Sequence, residues 1–144
     1  MKYPQGLAIG LAVLGVALLL APAVRGEAKN VTLTQKWSGS VEDEGLKKEA
    51  PENGCITSAK KFEKLWKAWK IGEQMPKVDF KKEMIILAVT EGSRLDLSAR
   101  LSDKGDLQIL GMATADFGPG FRYVVGVVSR DGVKTIDGKG LPKD

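Results

Sequence analysis

The chain has 144 residues, with 22 Lys and Arg against 18 Asp and Glu, and a formal net charge of +4. It contains no histidine and only one cysteine, Cys55. These counts exclude a zinc site built from His and Cys clusters, a nucleophile that relies on a histidine base, and a disulfide within the chain.

The first 26 residues have the pattern of an export signal. Lys2 gives a positive start, and residues 7–21 form an uncharged apolar run that is followed by small residues suited to signal peptidase. The run is shorter than the roughly 20 residues that cross a bilayer comfortably. We predict a cleaved signal peptide over residues 1–26 and an exported domain, periplasmic or extracellular, over residues 27–144. An uncleaved N-terminal anchor is the alternative.

Removal of the signal peptide lowers the net charge of the chain. Without Lys2 and Arg25 the formal net charge falls from +4 to +2. A charge of this size on a small domain gives no broad basic surface, so we predict no nucleic-acid binding. We also predict no membrane contact beyond the signal segment.

The first half of the exported domain predicts a strand, a loop and a helix. Residues 31–37 alternate between apolar and polar, as in a half-exposed strand, and residues 38–54 have the composition of a surface loop. Thr57 or Ser58 can cap a helix that reaches about Ile71. One face of this helix carries an apolar stripe typical of a core, formed by Phe62, Leu65, Trp66 and Trp69.

The second half predicts a series of strands. Residues 84–89 are continuously apolar, which favours a central strand buried on both faces. Further strand segments follow over 94–102, 107–113, 122–129 and 133–136, with Gly105 and Gly132 in turns. Because the helix and the strands are segregated, we predict an α+β fold. One amphipathic helix packs on a mainly antiparallel sheet of about five or six strands.

The chemical motifs argue against catalysis. Ser58 and Lys61 match the S-x-x-K pattern, but its S-D-N and K-T-G companions are absent, so Ser58 is interpreted as a helix cap. Glycine motifs that cradle phosphate are also absent. We predict a protein that is not an enzyme, with no catalytic residue, no metal and no cofactor. Candidate partner-binding residues lie around a glycine-proline loop, where functional contacts concentrate: Phe117, Pro119, Phe121 and Arg122.

Part of the sequence resembles a known family. Four features carry the likeness: the Ile56-Thr57-Ser58 cap, the aromatic-Leu-Trp stripe within residues 62–66, the Val78-Asp79-Phe80 step into the apolar run, and Gly92. Together they resemble bacterial exported proteins of the protease complex subunit PrcB type. The glycine-rich G-G-Y element and the lipidation cysteine of that family are absent here. The resemblance implies a small non-catalytic accessory domain whose partner is an exported or envelope protein, such as a secreted protease.

Two other functions stay open at this point. The first is a small-ligand module, with a cleft between the helix and the loops at residues 103–106 and 117–121. The second is a hydrolase that uses a pair of carboxylates across a cleft. Six aspartates are available for such a pair: Asp96, Asp103, Asp106, Asp116, Asp131 and Asp137.

Overall fold

A computed structural model describes residues 28–143. The predicted signal peptide lies outside these residues, so it stays a prediction. The described part holds one α-helix, α1 (Ala59–Trp69), and one short 3-10 helix (Glu44–Glu49). It also holds nine strands: β1 (Lys29–Val31), β2 (Gln35–Val41), β3 (Cys55–Ile56), β4 (Glu83–Thr90), β5 (Leu95–Leu101), β6 (Asp106–Ala113), β7 (Phe121–Ser129), β8 (Thr135–Ile136) and β9 (Lys139–Gly140).

The strands form two sheets. The four-stranded sheet has the order β2-β7-β4-β3, and the five-stranded sheet has the order β1-β5-β6-β8-β9. All neighbouring strands are antiparallel except the parallel pair β6 and β8. The predicted α+β class with mainly antiparallel strands is confirmed. The strands are divided between two sheets instead of lying in one.

Helix α1 covers one face of the four-stranded sheet. Ser58 caps the helix, since its hydroxyl accepts a hydrogen bond from the Lys61 amide at 3.4 Å. The predicted apolar stripe is confirmed as core, because its four members are all buried. They pack against alternate residues of the central strands, including Ile85, Leu87 and Val125.

The other face of the four-stranded sheet packs on the five-stranded sheet. Met84 and Ile86 of β4 lie in this second core, one position out of phase with Ile85 and Leu87. Successive side chains of a strand point to opposite faces, so a strand between a helix and a sheet must be apolar at every position. The predicted strand buried on both faces is therefore confirmed in β4, and its second face explains why a second sheet is needed.

The chain passes from one sheet to the other between β1 and β2. Val31 and Leu33 pack in the core between the sheets, whereas Trp37 packs in the core under α1. The single strand predicted over residues 31–37 is therefore wrong, and so is the loop predicted to begin at residue 38, since β2 continues to Val41. Because β1 is short, it pairs only with residues 99–101 of β5. In the described part of the chain no strand pairs with that edge of β5 over residues 95–98.

Candidate functional site

A cleft opens between the two sheets at the end where β5 begins and β6 ends. Its volume is about 480 Å³, and it is open to solvent. The four-stranded sheet contributes Ser38, Arg122 and Val124, and the opposite side is formed by residues 93–96 and by residues 112–114 at the end of β6. We call this feature the inter-sheet cleft.

Arg122 is the most informative side chain in the inter-sheet cleft. It is half-buried on β7, and its Nε atom is covered by protein without a hydrogen-bond acceptor among residues 28–143. A buried donor that lacks an acceptor is unfavourable by about 1–3 kcal/mol. Arg94 lines the same cleft from the loop before β5 and is exposed. Two arginines therefore line one small volume, which suits an anionic group.

Hydrogen bonds hold the two loops beside the cleft together. The Ser93 amide donates to the Asp116 carboxylate at 3.0 Å, and the Arg94 amide donates to the Thr114 hydroxyl at 3.1 Å. The Gly118 amide reaches the Glu91 carbonyl at 3.0 Å. Hydrogen bonds from the Ser93 and Thr114 side chains and from the Ser93 amide lower the pKa of Asp116 below its usual value. The carboxylate is therefore charged at neutral pH and braces one side of the cleft.

Large apolar side chains are exposed only in one short stretch of the described chain. Leu110 is 38% exposed, Met112 is 74% exposed and Phe117 is 84% exposed. Leu110 and Met112 lie on the outward face of β6, and Phe117 lies in the loop that follows, over residues 114–120. Met112 also lines the inter-sheet cleft. We call these three side chains the apolar patch, because they lie within eight consecutive residues of the chain; exposed apolar side chains that lie together mark interaction surfaces.

The structure separates the four predicted partner-binding residues. Phe117 and Pro119 are exposed in the loop over residues 114–120. Phe121 is only 2% exposed, and its ring packs on Trp69 with the centroids 5.2 Å apart. Phe121 therefore belongs to the core under α1 and offers no ring to the surface. Arg122 points to the opposite side of β7 and lines the inter-sheet cleft.

The predicted ligand cleft is not formed. The loops at residues 103–106 and 117–121 lie at opposite ends of β6, whose eight residues span roughly 25 Å at the usual rise per residue. The helix packs on the far face of the four-stranded sheet. These elements therefore do not enclose a common space, and the inter-sheet cleft takes the place of the predicted one.

Three of the six candidate aspartates, Asp106, Asp116 and Asp137, accept hydrogen bonds that hold turns or loops in place. Asp106 accepts hydrogen bonds from the Thr135 hydroxyl at 2.7 Å and the Gly138 amide at 2.8 Å, and Asp137 accepts from the Ile109 amide at 3.3 Å. Asp96 is different, since it lines the inter-sheet cleft from β5. Within residues 28–143 no group of three or more Cys, Asp and Glu side chains is arranged to hold a metal ion.

The S-x-x-K pair does not form a nucleophile and base. Ser58 uses its hydroxyl to cap α1, while the Lys61 ammonium donates to the Lys143 carbonyl at 2.8 Å. The ammonium group is thus directed to the C-terminal segment. Residues that sequence reasoning missed are Arg94, Met112 and Ser38, which are distant in the chain and meet only when the two sheets pack.

Cys55 is buried between the sheets, with its sulfur 3.7 Å from that of Met84. Burial raises the pKa of the Cys55 thiol from 9.0 to about 11, against a smaller opposing effect of Arg130. In the unfolded chain the thiol ionises near pH 9.0, whereas in the folded chain it stays protonated. We therefore expect the thiol to stabilise the fold below pH 9 and to lose this contribution between pH 9 and about 11.

This prediction is checked by denaturant unfolding over the pH range 7 to 11. Between pH 9 and 11 the wild type should lose stability more steeply than Cys55→Ala, by up to about 1.4 kcal/mol per pH unit. At pH 8 the native thiol should also react with a thiol reagent far more slowly than the unfolded chain. Equal slopes for the two proteins would show that the thiol does not contribute.

Comparison with models of known protein families, with curated proteins and with solved structures finds no match to this chain. The helices of residues 28–143 include none with the length and apolar character that crossing a bilayer requires.

Proposed function

We propose that this protein is an exported, non-catalytic binding domain that acts through protein–protein contacts made by the apolar patch. The observation that carries the proposal is the 84% exposure of Phe117 together with the 74% exposure of Met112, five residues earlier in the chain. Burying an aromatic ring and a methionine in an interface releases water from a large apolar area, and aromatic residues and methionine are enriched in protein interfaces. The resemblance to PrcB-type proteins favours a partner in a secreted protease complex or in the cell envelope.

Several features support this assignment. The loop that carries Phe117 is tied to the loop before β5 by the hydrogen bonds around Asp116, so the patch is presented on a braced frame. A braced surface loses little conformational freedom on binding, which favours affinity. The charged inter-sheet cleft lies next to Met112 and gives the apolar patch a polar rim, the arrangement usual in protein interfaces.

The test is site-specific photocrosslinking of the full chain in its own host. Phe117→p-benzoylphenylalanine places the crosslinker in the patch, and Lys104→p-benzoylphenylalanine places it in the exposed turn at the other end of β6. We expect a discrete adduct from position 117 and none of the same mass from position 104. Phe117→Ala should reduce recovery of that partner by at least tenfold. The same adduct from both positions, or full recovery with Phe117→Ala, would overturn the proposal.

A small-ligand module is the second candidate, and the inter-sheet cleft favours it. A volume of about 480 Å³ falls within the range of small-molecule sites. A ligand that binds only the folded chain raises the melting temperature by mass action. A thermal-shift screen of sugars, peptides and metal ions would support this candidate through a saturable shift that is lost in Arg122→Gln, and the lack of any shift would remove it.

A further inference from the structure

We propose that the inter-sheet cleft is a carboxylate-binding site, in which Arg122 and Arg94 hold an acidic side chain of an extended segment of the partner. The partner itself comes from the proposed function, and this inference rests on it. The location of the site, the chemistry of its ligand and the extended conformation of the bound segment go beyond the proposed function.

The first argument is the state of the two arginines. Among residues 28–143 the ion pairs involve Lys47, Lys64 and Lys67, so neither Arg94 nor Arg122 has a carboxylate partner. The Nε donor of Arg122 is buried without an acceptor. A carboxylate satisfies two parallel N–H donors of a guanidinium at once, and this geometry is specific to arginine. Because Nε is covered in this structure, the Arg122 side chain has to rotate slightly as the carboxylate arrives.

The second argument is the charge around the cleft, which favours one carboxylate over a phosphate. Asp96 lines the cleft with the two arginines, and the charged Asp116 lies next to it beside Ser93. These two carboxylates offset much of the attraction of the two guanidinium groups, and the cost of desolvating an anion rises steeply with its charge, so the balance favours a single negative charge. The cleft is therefore suited to a monoanion.

The third argument is the shape of the cleft, which suits a chain segment more than an isolated ion. The cleft is open to solvent, and apolar side chains of Leu95, Met112 and Val124 form part of its walls. The neighbouring edge of β5 has no strand paired to it over residues 95–98 in the described part of the chain. Backbone groups on such an edge can pair with an added extended peptide. A segment that passes along this edge can place an acidic side chain in the cleft.

The experiment follows the Arg122 Nε–H signal in the NMR spectrum of the full ¹⁵N-labelled chain, purified as its host processes it. The probe is acetyl-Ala-Val-Glu-Val-Ala-amide, and the matched peptide has Gln in place of Glu. We expect a saturable shift of the Arg122 signal with the Glu peptide and at least tenfold weaker binding of the Gln peptide. Arg122→Gln and Arg94→Gln should each weaken binding of the Glu peptide at least fivefold. Arg100→Gln, at an exposed arginine near the far end of β5 that does not line the cleft, should not change it.

Three outcomes would overturn the inference. They are equal shifts with the Glu and Gln peptides, an unshifted Arg122 signal, or sodium acetate or inorganic phosphate binding as tightly as the Glu peptide. If Arg122→Gln fails to fold, the comparison of peptides on the wild type and the exposed Arg94→Gln variant still decides the question. The titration uses no natural partner, so its failure is distinguishable from a failure of crosslinking at Phe117.

Discussion

Replacing Phe62 by alanine should remove about 3–5 kcal/mol from the free energy of unfolding. The ring of Phe62 is fully buried at the centre of the core under α1, between Trp66 and Phe80. Its removal loses the transfer free energy of the ring and leaves a cavity that the surrounding aromatic rings fill only in part. Since domains of this size are stable by only about 5–15 kcal/mol, this change would consume a large share of the stability. Urea unfolding followed by tryptophan fluorescence measures it.

Phe117→Ala is a matched control for this substitution. The residue type and the change are the same, but the ring of Phe117 is 84% exposed. We expect its effect on unfolding to stay within about 0.5 kcal/mol. In the partner-recovery experiment Phe117→Ala should lose the partner, although its free energy of unfolding is nearly unchanged. A loss of less than about 1 kcal/mol in Phe62→Ala would contradict the assignment of this core.

Replacing Gly120 by alanine should destabilise the protein by about 2–4 kcal/mol. Gly120 joins the loop over residues 114–120 to β7 with φ of +71°, a left-handed conformation that is unfavourable for residues with a Cβ. An added methyl group would also overlap the carbonyl oxygen of Val41 and approach the backbone of Glu42. Backbone atoms at the end of a paired strand cannot move aside easily. The backbone strain at residue 120 and the steric overlap of the new methyl group therefore both lower the stability. Thermal and urea unfolding both report the loss.

Gly118→Ala is the control within the same loop. A Cβ at Gly118 would have no atom within 4 Å, and its φ is not positive. This change should therefore leave stability within about 0.5 kcal/mol of the wild type. Equal losses of stability from Gly118→Ala and Gly120→Ala would show that substitution anywhere in this loop is unfavourable. That result would contradict the specific role of Gly120.

The parts of the fold that sequence could predict are those set by neighbours in the chain. The spacing of Phe62, Leu65 and Trp66 and the cap at Ser58 are local, so the helix was predictable. The unbroken apolar run of β4 also indicated that this strand is buried on both faces. The crossing between β1 and β2 was hidden because Val31, Leu33 and Trp37 all point into a core, although into two different ones.

The candidate site was harder to predict because packing between distant segments creates it. Phe117 and Phe121 flank the same glycine-proline loop and are equivalent in sequence terms. The pairing of Phe121 with Val41 across β7 and β2 sets its ring against Trp69 in the core, whereas Phe117 stays 84% exposed. Arg94 and Arg122 are likewise 28 residues apart in the printed chain and share one cleft only after the two sheets pack.

The position of β7 in the middle of the four-stranded sheet has a consequence for the order of folding. β7 pairs with β2 and with β4, which stand much earlier in the chain. The sheet therefore cannot close until about nine-tenths of the printed chain has been made, and such long-range pairing slows folding to milliseconds or longer. Until β7 is made, the edge of β4 that will pair with it stays open, so the growing chain exposes a strand of apolar side chains that is prone to aggregation.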